Sequence, residues 1–216
     1  MVRAIALWDH WRCVSTPRWV RTSANVVSTY QRRTRTGNFG SAATLTALAM
    51  GARCVVTPGR NVDVLADLER RFRERVAPVL LTGDAARDEA AMRAAAPDAV
   101  DAVLDFLPPS AAASVARTAI MAVRPYGRVV LMGGVGMLGG EDLALPYPWV
   151  MRNLITVKGQ WMYPREAVAG MVGLVRAGLL DLGQFAVTEF ALDDANEAVA
   201  HAAANAGPFR LTVLKP

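Results

Sequence analysis

From Gly37 onward the chain alternates short apolar runs with helical stretches of about 10–15 residues, and this alternation limits the fold more than any other feature. Adjacent parallel strands need a crossover of that length, so repeated strand–helix–strand units imply a parallel sheet. The strand candidates are Arg53–Thr57, Pro78–Thr82, Val100–Leu107, Arg128–Met132, Ile155–Lys158 and Phe209–Leu214. They are mostly apolar, as strands are when helices cover both faces. The helix candidates begin with Ser41–Met50, closed by Gly51, and Val62–Val76, which carries Val62, Leu65, Leu68 and Phe72 on one face. Asp88–Ala96 follows, stopped by Pro97, and then Ser110–Val123 with Ser110 as its cap. Arg165–Ala177 and Asp193–Asn205 complete the set, the latter with Asp193 or Asp194 near its cap. The expected fold class is α/β, an open doubly wound parallel sheet. Its first strand is expected to be weak or missing, because only Val26 and Val27 are strand-like ahead of the first helix.

The 216 residues, 53% of them apolar, suffice for a sizeable core. No apolar run approaches the roughly 18 residues of a membrane helix. Asp9, His10, Arg12 and Arg18 interrupt the N-terminus, so it does not read as a secretory signal. Cys13 and Cys54 are the only cysteines, too few for a disulfide framework in a chain this long. A cytoplasmic location is therefore expected.

Charge is unevenly distributed. Of the net +5, residues 1–36 carry +6, from Arg3, Arg12, Arg18, Arg21, Arg32, Arg33 and Arg35 against Asp9 alone. Residues 37–216 carry −1. Trp8, Trp11 and Trp19, three of the five tryptophans, also fall in the first segment. The break divides the chain into an atypical basic segment, 1–36, expected to be poorly ordered, and a folded domain, 37–216. Arginines interleaved with tryptophans and Tyr30 are compatible with nucleic-acid contact, but the rest of the chain carries no basic stripe, and a nucleic-acid partner is not expected.

Thr36-Gly37-Asn38-Phe39-Gly40-Ser41 stands where a strand hands over to a helix. Gly37 would let backbone approach a pyrophosphate, and Gly40 would let the helix pack closely on the sheet. The amides opening the helix would then donate to phosphate oxygens. Such a spacing also makes an ordinary tight turn into a helix. Arg35 precedes it, either pairing with phosphate or spoiling the turn.

Gly37-Asn38-Phe39-Gly40-Ser41-Ala42-Ala43 resembles the nucleotide loop of the medium-chain dehydrogenase/reductase family, the zinc-type alcohol dehydrogenases and quinone reductases. Thr36 fits the family's Gly-Ala-Thr, while Thr34-Arg35 replaces its first two residues. Arg124-Pro125-Tyr126-Gly127-Arg128-Val129-Val130-Leu131-Met132-Gly133-Gly134 resembles its strand near the nicotinamide. Leu192-Asp193-Asp194-Ala195-Asn196-Glu197-Ala198 and Arg210-Leu211-Thr212-Val213-Leu214-Lys215-Pro216 resemble its C-terminal signature. The resemblance covers residues 36–216. It implies a Rossmann-like nucleotide-binding domain, hydride transfer between a nicotinamide cofactor and an alcohol, aldehyde or quinone, and frequent pairing into homodimers. The family's catalytic domain, source of its zinc ligands and proton relay, precedes the loop, and residues 1–36 match none of it. A truncated form is therefore expected, with cofactor binding, little catalysis, no catalytic residue and no zinc. The first segment would be a wrong-frame translation or a fused fragment. A non-enzymatic dinucleotide-binding or dimerising remnant is the alternative.

An acid about 20 residues beyond the loop would hold the ribose hydroxyls of NAD. Here the strand end reads Thr57-Pro58-Gly59-Arg60-Asn61, with no acid before Asp63. Arg60 either pairs with a 2′-phosphate, which favours NADP(H) over NAD(H), or is a solvated turn residue. Gly133, Gly134 and Gly159 would let backbone lie near the nicotinamide. Thr36, Gly37, Asn38, Phe39, Gly40, Gly59, Arg60, Asn61 and Leu107 complete the expected cofactor-binding set. Asp105 is assigned to a turn, Cys54 to the core and His201 to packing or surface. Trp161, Met162 and Tyr163 would line a substrate pocket or pack a subunit interface. His10 and Cys13, spaced i and i+3, lack further ligands for a metal.

Overall fold

The computed structural model describes residues 25–28, 38–161 and 163–216. The short strand β1, Asn25–Ser28, lies between β2, Cys54–Gly59, and β4, Val100–Asp105, and is parallel to both. With β3 (Val76–Leu80), β5 (Val123–Leu131) and β6 (Thr156–Gly159) they form a six-stranded sheet of order β3-β2-β1-β4-β5-β6, every pairing parallel. The central strand thus comes from the segment that the charge break sets apart, and the fold reaches upstream of the boundary at residue 37. Four residues carry too short a pattern to read as a strand without partners. Arg35, Thr36, Gly37, Met162 and the His10–Cys13 pair lie outside the described residues.

Successive side chains on a strand point to opposite faces, and the valines of this sheet divide accordingly. Val26, Val55, Leu104 and Val130 enter one core; Val27, Val56, Val103 and Val129 enter the other. The first core is closed by α1 (Asn38–Ala49), α2 (Val62–Phe72) and α6 (Arg165–Arg176), which contribute Ala43, Leu68 and Leu174. The second is closed by α3 (Ala85–Ala95) and α4 (Ala113–Met121), through Met92 and Ile120. Burial of a side chain such as Leu68 or Ile120 contributes about 1.5–3 kcal/mol.

Local signals explain most helix ends. Gly51, at φ +92°, ends α1 in the left-handed region, and the Arg75 guanidinium donates to the carbonyls of Leu48 (3.0 Å) and Ala52 (2.8 Å). Asn61 caps α2, its Oδ1 accepting from Val64 N at 2.9 Å. The expected cap at Ser110 is not formed. Ala111 N donates to the Pro108 carbonyl at 2.9 Å, so the double proline spends those residues on a turn, and α4 begins at Ala113 without a side-chain cap. Asp194 stands at the N-cap of α7, Ala195–Asn205, but its side chain makes no capping bond.

Two elements were not anticipated. Helix α5, Tyr147–Arg152, is only six residues long and opens inside the Gly/Pro-rich stretch 136–148. Strand β7, Ala186–Ala191, pairs in parallel with β8, Arg210–Lys215, as a separate two-stranded sheet.

This C-terminal unit is fastened to α1 at Phe209. Its ring lies 5.8 Å from Phe72 and 5.7 Å from Phe185, with the Arg71 guanidinium 4.8 Å from its centroid. Phe209 N donates to Ser41 Oγ at 3.2 Å, and Arg210 N donates to Asn38 Oδ1 at 3.0 Å. Phe209 adopts φ +56°, which costs a bulky residue about 1–3 kcal/mol and persists because these contacts hold it there. Replacing the fully buried Ser41 by Ala strands the Phe209 amide. We expect a loss of about 1–3 kcal/mol in urea unfolding with an unchanged m-value; an unaltered midpoint would remove this bond from the account.

Candidate functional site

Every crossover from β1 toward β3 runs one way across the sheet, and the crossover through α3 to β4 reverses it. A crevice therefore opens at the carboxyl ends of β1 and β4, the place where open parallel sheets bind ligands. Helix α1 begins on this side, following β1 in the chain, and its first residues are Asn38, Phe39 and Gly40. Gly40 is buried, while Asn38 and Phe39 are half-buried. The Asn38 side chain is occupied by Arg210, so its carbonyl oxygen serves the C-terminal anchor.

The other expected residues fall in two groups along the same edge. Leu107, Gly133 and Gly134 come together at the ends of β4 and β5. Gly134 N donates to the Leu107 carbonyl at 2.7 Å. A Cβ on Gly133 would lie 2.7 Å from that same oxygen and 3.0 Å from Leu107 N, so only glycine permits this approach of backbone to backbone. Asp105 holds the turn, its Oδ1 accepting from Leu107 N at 3.1 Å. Gly159, at the end of β6, faces open space and is not required by packing.

The second group is the turn after β2. Gly59 pairs with Leu80, and its carbonyl accepts from Leu81 N at 2.8 Å. Arg60 is exposed and Asn61 is buried. At the same strand end, Thr57 Oγ1 and Asn61 Nδ2 are buried with no hydrogen-bond partner among the described residues. Leaving such an atom unpaired costs about 1–3 kcal/mol, so two at one strand end mark a place where a polar ligand would be gained.

Between this turn, α3 and α4 lies a cavity of about 120 Å³. Pro58, Leu81, Leu107 and Val115 give it apolar walls, and Arg60 and Asp88 bring charge to it. Asp88 is 5% exposed. Burial raises its pKa, but hydrogen bonds from Thr82 N, Thr82 Oγ1 and Gly83 N, aided by the Arg60 charge, outweigh this and hold it below the usual carboxylate value. Thr57, Asp88 and the α4 face of the cavity were not anticipated. Thr57 lies inside an apolar run, and Asp88 looked like an ordinary first-turn acid.

Cys54 is core, its thiol pKa raised chiefly by burial. His201 Nδ1 lies 3.0 Å from Thr212 Oγ1, and its ring packs on Phe190 at 5.2 Å, a packing role. Trp161 is 65% exposed, whereas Tyr163 packs against the first core. Among the described residues no group of three His, Cys, Asp or Glu is arranged to hold a metal, and no helix is long and apolar enough to cross a membrane.

The fold recurs in solved dehydrogenases and reductases. Benzyl alcohol dehydrogenase from Acinetobacter calcoaceticus superposes with a TM-score of 0.69 at 17% identity, over 99% of this chain and 54% of that one. A crotonyl-CoA carboxylase/reductase in complex with NADP gives 0.72 at 16%, over 99% and 54%. Acetophenone reductase from Geotrichum candidum, in complex with NAD, gives 0.63 at 18%, over 100% and 53%. The chain shares its fold with the medium-chain dehydrogenases. It spans about half the length of these solved structures. No family model matches the sequence, and no curated protein does.

Asp88 supplies a pH signature. Because its folded pKa is depressed, its stabilisation is complete above the ordinary carboxylate value of about 3.9 and is lost as pH falls through the folded value. Asp88→Asn should remove part of the acid limb of a stability–pH curve and cost about 1–3 kcal/mol at neutral pH. An acid limb identical in the two proteins would place the acid sensitivity elsewhere.

Proposed function

We propose that this chain is the nucleotide-binding part of an NADP(H)-preferring oxidoreductase of the medium-chain dehydrogenase/reductase type. One observation carries the reading: beside the switch point of the sheet, a largely apolar cavity is lined on one side by the exposed Arg60. Phosphate oxygens suit the amides that open α1, near Gly40. Arg60, with the Asn61 amide and Thr57 hydroxyl beneath it, suits the phosphate that distinguishes NADP from NAD. The close backbone approach at Gly133 and Gly134, with Gly159 beyond, leaves room for the nicotinamide end. Bound nicotinamide supplies hydride chemistry, and this chain's residues bind and orient it.

On this reading the substrate is an alcohol, aldehyde or quinone. The chain by itself would be a truncated form that holds cofactor and turns substrate over slowly or not at all, in the cytoplasm. A non-enzymatic dinucleotide-binding protein is the second reading. NADPH fluorescence separates them: slow substrate-dependent oxidation by the pure chain supports the oxidoreductase reading, binding without any consumption supports the second, and no binding overturns both.

Arg60→Ala should weaken NADPH binding by about ten- to a hundredfold, the worth of a charge-assisted phosphate contact, and leave NADH within about twofold. Equal loss for both nucleotides would remove Arg60 from the 2′-phosphate.

We further propose pairing of two copies along β6, the outer strand of the sheet. Val157 on β6 and the neighbouring Met151 and Leu154 are exposed apolar side chains. Sedimentation equilibrium should give a dimer that Val157→Lys dissociates; a monomeric parent chain excludes it.

A further inference from the structure

Dinucleotide phosphates account for Arg60 but not for a buried carboxylate in the same cavity. Asp88 sits in the first turn of α3 and lines the cavity from below, while Arg60 stands exposed at its rim. The carboxylate is held rigidly. Its Oδ1 accepts from Thr82 N at 2.8 Å and from Thr82 Oγ1 at 2.7 Å, and its Oδ2 accepts from Gly83 N at 3.0 Å. An ionised carboxylate offers about four acceptor positions, so one on Oδ2 remains after these bonds. The nearby Thr118 hydroxyl is committed, donating to the Ser114 carbonyl at 2.8 Å. Pro58, Leu81, Leu107 and Val115 around it are apolar and suit the faces of a flat ring.

We propose that Asp88 accepts a hydrogen bond from the exocyclic amine of the adenine ring, so that this cavity selects 6-amino over 6-oxo purines. The inference rests on the reading of the cavity as the adenosine end of a dinucleotide site. Its physical basis is an asymmetry between donors and acceptors. An amine satisfies the remaining position on Oδ2. A 6-oxo purine sets a carbonyl oxygen against a carboxylate, two acceptors with no proton between them. A site built around a buried hydrogen-bonding group discriminates strongly for that reason. The selection adds to the phosphate contact at Arg60 and acts on a different part of the ligand.

The test compares NADPH with reduced nicotinamide hypoxanthine dinucleotide phosphate, the same molecule with a carbonyl in place of the amine. Both are titrated by nicotinamide fluorescence against the full chain. We expect the hypoxanthine form to bind roughly ten- to a hundredfold more weakly. In Asp88→Asn, whose amide can donate to a carbonyl, the ratio should fall to about one or invert. Equal binding of the two nucleotides by the parent chain overturns this inference and leaves the adenosine reading standing. Failure of both to bind overturns the reading and the inference together. A preference for NADPH that survives unchanged in folded Asp88→Asn assigns the selection to another group and also overturns the proposal.

Discussion

The first turn of α1 is fixed from its far end of the sequence. Ser41 and Asn38 accept hydrogen bonds from the backbone amides of Phe209 and Arg210, and Phe209 is gripped by Phe72, Phe185 and Arg71. A helix of small residues such as Asn38–Ala49 packs closely but has few large side chains with which to set its own position. The C-terminal anchor supplies that setting. The orientation of the amides that open the helix follows from it.

The rest of the candidate site is a consequence of covering a parallel sheet on both faces. Valines at adjacent positions feed two separate cores, which leaves only the strand ends free for polar work. At those ends backbone must pass near backbone, as Gly133 does against Leu107. Polar atoms there either close turns, as Asp105 and Asp88 do, or stay unpaired, as at Thr57 and Asn61. Asp105 holds its turn, whereas Asp88 closes a turn and also lines the cavity.

Much of this was legible beforehand. Six of the eight strands among the described residues read as apolar runs; in β2, burial on both faces writes a continuous signal into the sequence. β7 was missed because Thr188 and Glu189 lie in a polar, exposed strand whose partner is β8 rather than the main sheet. β1 was underweighted because two valines carry no periodicity by themselves; their meaning lies in the four neighbouring strand positions they join. At the candidate site, spacing singled out the glycines and Arg60. The unpaired hydroxyl of Thr57 and the spare acceptor of Asp88 were not singled out, since both are defined by which bonds tertiary packing leaves unmade. The Asn38 side chain shows the reverse case: its position in the loop suggested ligand contact, and the fold uses it to hold Arg210.

The anchor at Phe209 also has a temporal meaning. During synthesis most strands of the main sheet leave the ribosome well before Phe209 does, and domains begin to settle as they emerge. Helix α1 is seated by a residue 168 positions beyond Ser41, a contact of very long sequence separation. Until that residue emerges, the nascent sheet carries a helix that nothing yet latches.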